Sequence, residues 1–147
     1  MRGSFNIAGA VAIAATCLLS TARADDKDVV DYREHIMNAL NEQSAILGQI
    51  VSTAIPDDNV VAHLDSLALI ASTALKSFEP KVAGGEAKPE VWAHWDDFSK
   101  RMNEFAQKTA NAAKVAHTQG PEAALSSMLD VLTCKSCHEV YREEKKK

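Results

Sequence analysis

The sequence predicts an all-α fold, an antiparallel four-helix bundle with a cofactor near its C-terminal helix. Three observations lead there. Four segments carry apolar residues at steps of three and four, the period of a helix that buries one face. The joints between them are mostly short and rich in Pro, Gly and Asp, which turns successive helices back on one another. Almost no stretch alternates with the period of two that a half-buried strand requires.

Residues 1–24 precede the bundle and read as a secretory signal: basic Arg2, an apolar run Ile7 to Leu19, and the small-residue ending Ala22-Arg23-Ala24. That run of about 13 residues is shorter than the roughly 20 a membrane-spanning helix needs, and no other stretch reads as a span. The domain is expected to occupy residues 25–147, with cleavage after Ala24 and a periplasmic location. Cys17 lies in the signal, and Thr16 before it is larger than the residue a lipid-attachment site wants. Losing Arg2 and Arg23 leaves 14 basic against 20 acidic residues, a formal charge of −6. An acidic surface of this kind excludes nucleic acid as a natural partner and favours basic or neutral ones.

The first helix is expected from about Asp28 to Ala54, with Ile36, Met37, Leu40, Leu47, Ile50, Val51 and Ala54 on its stripe. Pro56-Asp57-Asp58 stops it and caps the second, about Asn59 to Phe78, where Val60, Leu64, Leu67, Ala71, Ala74 and Phe78 recur in strict alternation of four and three. A loop follows, with Pro80 and Gly84-Gly85. Pro89 opens the third helix, since its fixed φ suits a first helical position; Trp92, Trp95, Phe98, Met102, Phe105, Ala112 and Ala116 form its stripe. Gly120-Pro121 ends it and begins the fourth, which carries Leu125, Leu129, Leu132 and Tyr141.

The fourth segment also holds Cys134-Lys135-Ser136-Cys137-His138. At helical spacings of three and four, the two thiols and the imidazole leave one face. This is the attachment pattern of a c-type haem, two thioethers with His138 as the proximal iron ligand. A structural zinc site would need four ligands, usually a second spaced pair that the mature chain lacks. A thioredoxin-like redox pair belongs at a helix start in a βαβ unit, and no parallel strand is legible here. One covalent haem c per chain is therefore the expected cofactor.

The motif with the following Glu139-Val140-Tyr141-Arg142, the run Lys88-Pro89-Glu90, the joint Gly120-Pro121-Glu122-Ala123-Ala124-Leu125, and Arg33 one turn before Met37 together resemble the class II c-type cytochromes. These are the cytochrome c-prime family and its Met-ligated c-556 relatives. The resemblance implies that Met37 faces the distal side of the haem, as sixth ligand or as apolar cover. It implies that Arg33 sits near a haem propionate, and that Arg142 lies beside the proximal imidazole. It also implies a homodimer through the first two helices, where a bundle of this size leaves apolar surface such as Val61, Leu69 and Leu75 beyond one stripe. The plainer readings are a core methionine for Met37, a solvated helix-edge residue for Arg33 and a helix-end charge for Arg142.

Two functions then differ in one bond. With the Met37 thioether on iron, the protein is a six-coordinate electron carrier that serves redox partner proteins, and this is the expected function. With His138 alone, it is a five-coordinate cytochrome c-prime that binds nitric oxide or carbon monoxide. No distal His or Arg arrangement for peroxide chemistry is visible, so no enzyme is expected. His35 points about 160° away from Met37 and is no distal ligand; His63, His94 and His117 lie off the apolar stripes and are expected to face solvent.

Overall fold

The structure, a computed structural model, describes residues 24–52 and 55–144. The signal segment through Arg23, Ala54 at the end of the first stripe, and Lys145 to Lys147 lie outside the described residues, as does the side chain of Leu129. The elements are α1 (Asp26–Val51), α2 (Val60–Ala74) continued by a 3₁₀ turn (Leu75–Phe78), α3 (Glu90–Ala93), α4 (Trp95–Gln119), α5 (Pro121–Val131) and α6 (Cys134–Tyr141). Taken in pairs where the third and fourth segments break, these are the four arms of the bundle.

A reciprocal pair starts α1: the Asp25 carboxylate accepts from the Asp28 backbone N–H at 2.8 Å, and Asp28 accepts from the Asp25 N–H at 3.2 Å. Such a capping box satisfies two of the donors a helix start leaves unpaired. The expected acidic cap of α2 does not form. Asn59 holds that position without a side-chain bond, and the first turn is closed by the Val60 N–H on the Asp57 carbonyl. At the other long joint, Gly120 has φ +93° and ψ 165°, a conformation only glycine adopts freely, and Pro121 follows at the start of α5.

Two of the four expected helices are broken. The third changes direction at His94 (φ −120°, ψ 46°), where the Trp92 indole N–H donates to the Phe78 carbonyl at 2.9 Å and holds α3 against the end of α2. The fourth breaks at Leu132 and Thr133, whose ψ values of 28° and 41° lie outside the helical range. The apolar period runs through both breaks, so periodicity alone could not reveal them.

Packing follows the stripes. α2 lies between α1 and α4, α4 also packs on α5, and α3 touches both α4 and α6. All six stripe residues of α2 and its 3₁₀ turn are buried, as are Leu40, Leu47 and Ile50 of α1 and Phe98, Met102, Ala112 and Ala116 of α4. Each buried Leu contributes roughly 1.5–3 kcal/mol relative to exposure. The core also takes Val91, Ala113, Ala124, Met128 and Val131, which the sequence stripes omit. Val60–Phe78, 19 residues with a mean hydropathy of 1.2 over an 18-residue window, is long and apolar enough to cross a membrane by length and composition, contrary to the expectation that no such stretch exists. In this fold its apolar stripe belongs to the core.

Candidate cofactor site

The break before α6 separates the motif from α5, so that Cys134, Cys137 and His138 line a cavity of about 660 Å³. From α1 the cavity receives Met37, Leu40, Asn41 and Ser44; from α4 it receives Arg101, Met102 and Phe105. A neighbouring cavity of about 330 Å³ shares Met37, Asn41, Met102, Cys137, His138 and Arg142. The first volume falls in the range of small-molecule and cofactor sites. Met37 and His138 thus border the same space from α1 and α6.

Of the two motif cysteines, Cys134 is exposed and Cys137 half-buried. Burial pushes the Cys137 thiol above its ordinary pKa. Burial first, and the Arg142 guanidinium second, hold the His138 imidazole below its ordinary value, against an opposing pull from Glu86. The ring is therefore neutral at neutral pH and has a lone pair to give. Among the described residues no group of three or more His, Cys, Asp or Glu side chains is arranged to hold a bare metal ion. Two thiols and a neutral imidazole on one helical turn, beside a cavity walled by Met37, Leu40, Met102, Phe105 and Val131, do fit a haem.

The proximal helix is anchored by Tyr141, 5 % exposed, whose hydroxyl donates to the Asp97 carboxylate of α4 at 2.5 Å. Arg101 donates to the same oxygen at 2.6 Å. Burial and this bond push the Tyr141 phenol up to about 12, while the two donors, Tyr141 before Arg101, lower Asp97. The Tyr141 ring also meets Phe98 edge-on, with centroids 5.2 Å apart.

Arg33 lines the smaller cavity together with Met37 and His138. It is 2 % exposed, not a helix-edge side chain, and its two terminal nitrogens donate to loop carbonyls, Nη1 to Val82 at 3.1 Å and Nη2 to Gly84 at 2.9 Å. Its guanidinium carbon lies 5.3 Å from the Phe78 ring centre and 5.2 Å from that of Trp92. Burial lowers its pKa. Arg142 borders both cavities, with Nε 3.9 Å from the Glu86 carboxylate.

Asn41 and Ser44 were missed in the sequence. They lie four and seven residues after Met37, on the same face of α1, and helical spacing alone would have found them had polar residues been admitted to the stripe. Two of the histidines away from the cavity bridge between helices. His63 is half-buried and donates to Gln43 at 3.0 Å, and His117 bridges from α4 to Asp65 of α2 at 2.9 Å. His94 and His117 are exposed, as expected, and His35 is exposed as well.

Comparison with known proteins bears on this geometry. The family model described as cytochrome c′ matches residues 28–142. A cytochrome c′ from Pararhodospirillum photometricum is 33 % identical over 82 % of this chain and all of its own length. The chain belongs to the cytochrome c′ family. Membership makes it a haem protein with one covalent haem c per chain. A cytochrome c-554 from Cereibacter sphaeroides is also similar, 30 % identical over 90 % of this chain and 91 % of its own. Among solved structures, ferric cytochrome c prime from Alcaligenes xylosoxidans superposes with a TM-score of 0.76 at 24 % identity, covering 83 % of this chain and 98 % of that one. That likeness establishes the four-helix bundle fold of the cytochromes c′.

Proposed function

We propose that this protein is an exported cytochrome c′ whose haem iron is five-coordinate and binds a diatomic gas such as nitric oxide or carbon monoxide. Cys134 and Cys137 hold the haem by thioethers, and His138 is the proximal ligand. The bound haem supplies an iron with one open face. The observation that carries the reading is that His138 and Met37 border one cavity from two different helices, with Leu40, Met102 and Phe105 as apolar cover. Met37 then covers the open face instead of bonding to it. The family match supports this over the six-coordinate, Met37-ligated electron carrier that the sequence first led us to expect. A further support is that the relative from Alcaligenes xylosoxidans has been solved, as a variant, in complex with nitric oxide.

The residues around the cavity have definite tasks in this reading. His138 stays neutral because burial disfavours its charged form, which keeps its nitrogen available to a metal. Arg142 places positive charge next to that ring and so raises the reduction potential of the site, the effect one charge has at close range. Apolar cover from α1 and α4 keeps bulk water and larger anions off the open face. Cleavage after Ala24 would leave Asp25, the cap of α1, as the first residue of a periplasmic protein, and no catalytic reaction is assigned to it. Titration of the dithionite-reduced protein with carbon monoxide tests the proposal. Stoichiometric binding with a large Soret change at micromolar gas is expected; absence of any change would contradict it.

A further inference from the structure

The loop between the 3₁₀ turn and α3 is bound at both ends of the cofactor cavity. On the distal side it is pressed against α1. Gly84 and Gly85, at φ +133° and +63°, lie so close that a Cβ on Gly85 would collide with the Glu34 carboxylate and stand 3.1 Å from Val30. Arg33 holds this segment by the two carbonyl bonds to Val82 and Gly84, with its guanidinium between the Phe78 and Trp92 rings. A buried planar cation needs such partners, since leaving it without them costs several kcal/mol.

On the proximal side the same loop pairs with the end of α6. The Lys88 N–H donates to the Tyr141 carbonyl at 3.0 Å, and the Glu143 N–H donates to the Glu86 carbonyl at 2.8 Å. These two bonds flank an antiparallel bridge between Ala87 and Arg142. The Arg142 side chain approaches Glu86, and the Lys88 ammonium reaches the Glu139 carbonyl at 3.4 Å. A continuous run of bonds therefore leads from α1, one turn before Met37, through residues 82–88 to the helical turn that carries His138.

We propose that Arg33 is a positioning residue: by holding the strap of residues 82–88 on α1, it sets how far Met37 stands from His138, and so how tightly the distal cover closes. The inference rests on the five-coordinate reading above. It gives Arg33 a role toward the protein backbone, separate from the propionate contact that the resemblance implies. A lysine is a poor replacement, because its compact, strongly hydrated ammonium lacks the planar fork that spans both carbonyls and stacks on the Phe78 and Trp92 rings.

The test uses the full haem-loaded protein with Arg33→Gln, Gly85→Ala and Met37→Ala, singly and as the two doubles with Met37→Ala. Two quantities are read: hydrogen exchange at the Lys88 and Glu143 amides, and the association rate of carbon monoxide. Arg33→Gln and Gly85→Ala are both expected to speed exchange at those two amides and to raise the association rate roughly fivefold to tenfold, the size of a coupling between residues in one network. With Met37→Ala present the rate effect disappears, because the cover is gone, while the faster exchange remains.

Unchanged exchange in Arg33→Gln, or a rate change of equal size with and without Met37, would overturn the assignment. So would an effect of Arg33→Gln with none from Gly85→Ala, the pattern of a propionate partner. Should Arg33→Gln fail to accumulate, Gly85→Ala carries the same comparison with the guanidinium intact. A wild-type protein that binds no gas would instead contradict the proposed function, and the exchange measurement would still decide the strap.

Discussion

Met37 and His138 lie 101 residues apart in sequence yet border one cavity. His138 and its two cysteines could be read directly, because their chemistry depends on a spacing of three and four within one turn. Arg33 could be read as important, but its bonds to the loop could not be foreseen. Its carbonyl acceptors lie 49 and 51 residues away in a loop without periodicity, and nothing local encodes that approach. Tyr141 gives a residue-scale prediction. Its phenol titrates near 10 when unfolded and is pushed up to about 12 in the fold, so between those values the unfolded chain loses a proton that the folded one keeps. Stability must therefore fall as pH rises from 10 to 12. In Tyr141→Phe this share of the alkaline loss is absent, while stability at neutral pH drops through the lost bond to Asp97, by about 1–3 kcal/mol. Denaturant midpoints at pH 8, 10 and 11.5 check both halves; an identical alkaline slope in the two proteins would refute the first.

At the scale of elements, strict spacing was most informative where one helix is enclosed on two sides. The stripe of α2 is buried at every position because α1 and α4 cover it. The breaks at His94 and Thr133 escaped detection, since each keeps the apolar period across a change of direction and neither contains Gly or Pro. Gly120 did announce its turn, and its conformation sets a cost. In Gly120→Ala a Cβ would meet only the Glu122 carboxylate, at 3.4 Å. Backbone strain is then the main penalty, about 1–3 kcal/mol. Thermal unfolding should show the loss without any change in the haem spectrum, and an unaltered midpoint would mean that the α4–α5 joint relaxes. Asp25→Ala should cost about 1 kcal/mol through the lost capping box of α1.

For the molecule as a whole, four helices leave part of α1 and α2 uncovered. Leu69 of α2 is 69 % exposed, whereas Val61 and Leu75, expected beside it on the outer face, are half-buried against the core. We still propose a homodimer through these two helices, centred on Leu69; light scattering on wild type and Leu69→Lys should give a dimer and a monomer, and a wild-type monomer at high micromolar concentration would remove the proposal. The central claim, however, is an open coordination site under Met37, and the most direct measurement of it is the optical spectrum of the ferric and ferrous protein beside that of Met37→Leu. Five-coordinate iron predicts high-spin spectra in both redox states, with no far-red sulfur-to-iron charge-transfer band and the same spin state in the variant. A low-spin ferric spectrum that carries this band, and loses it in Met37→Leu, would show the thioether on the iron and contradict the account.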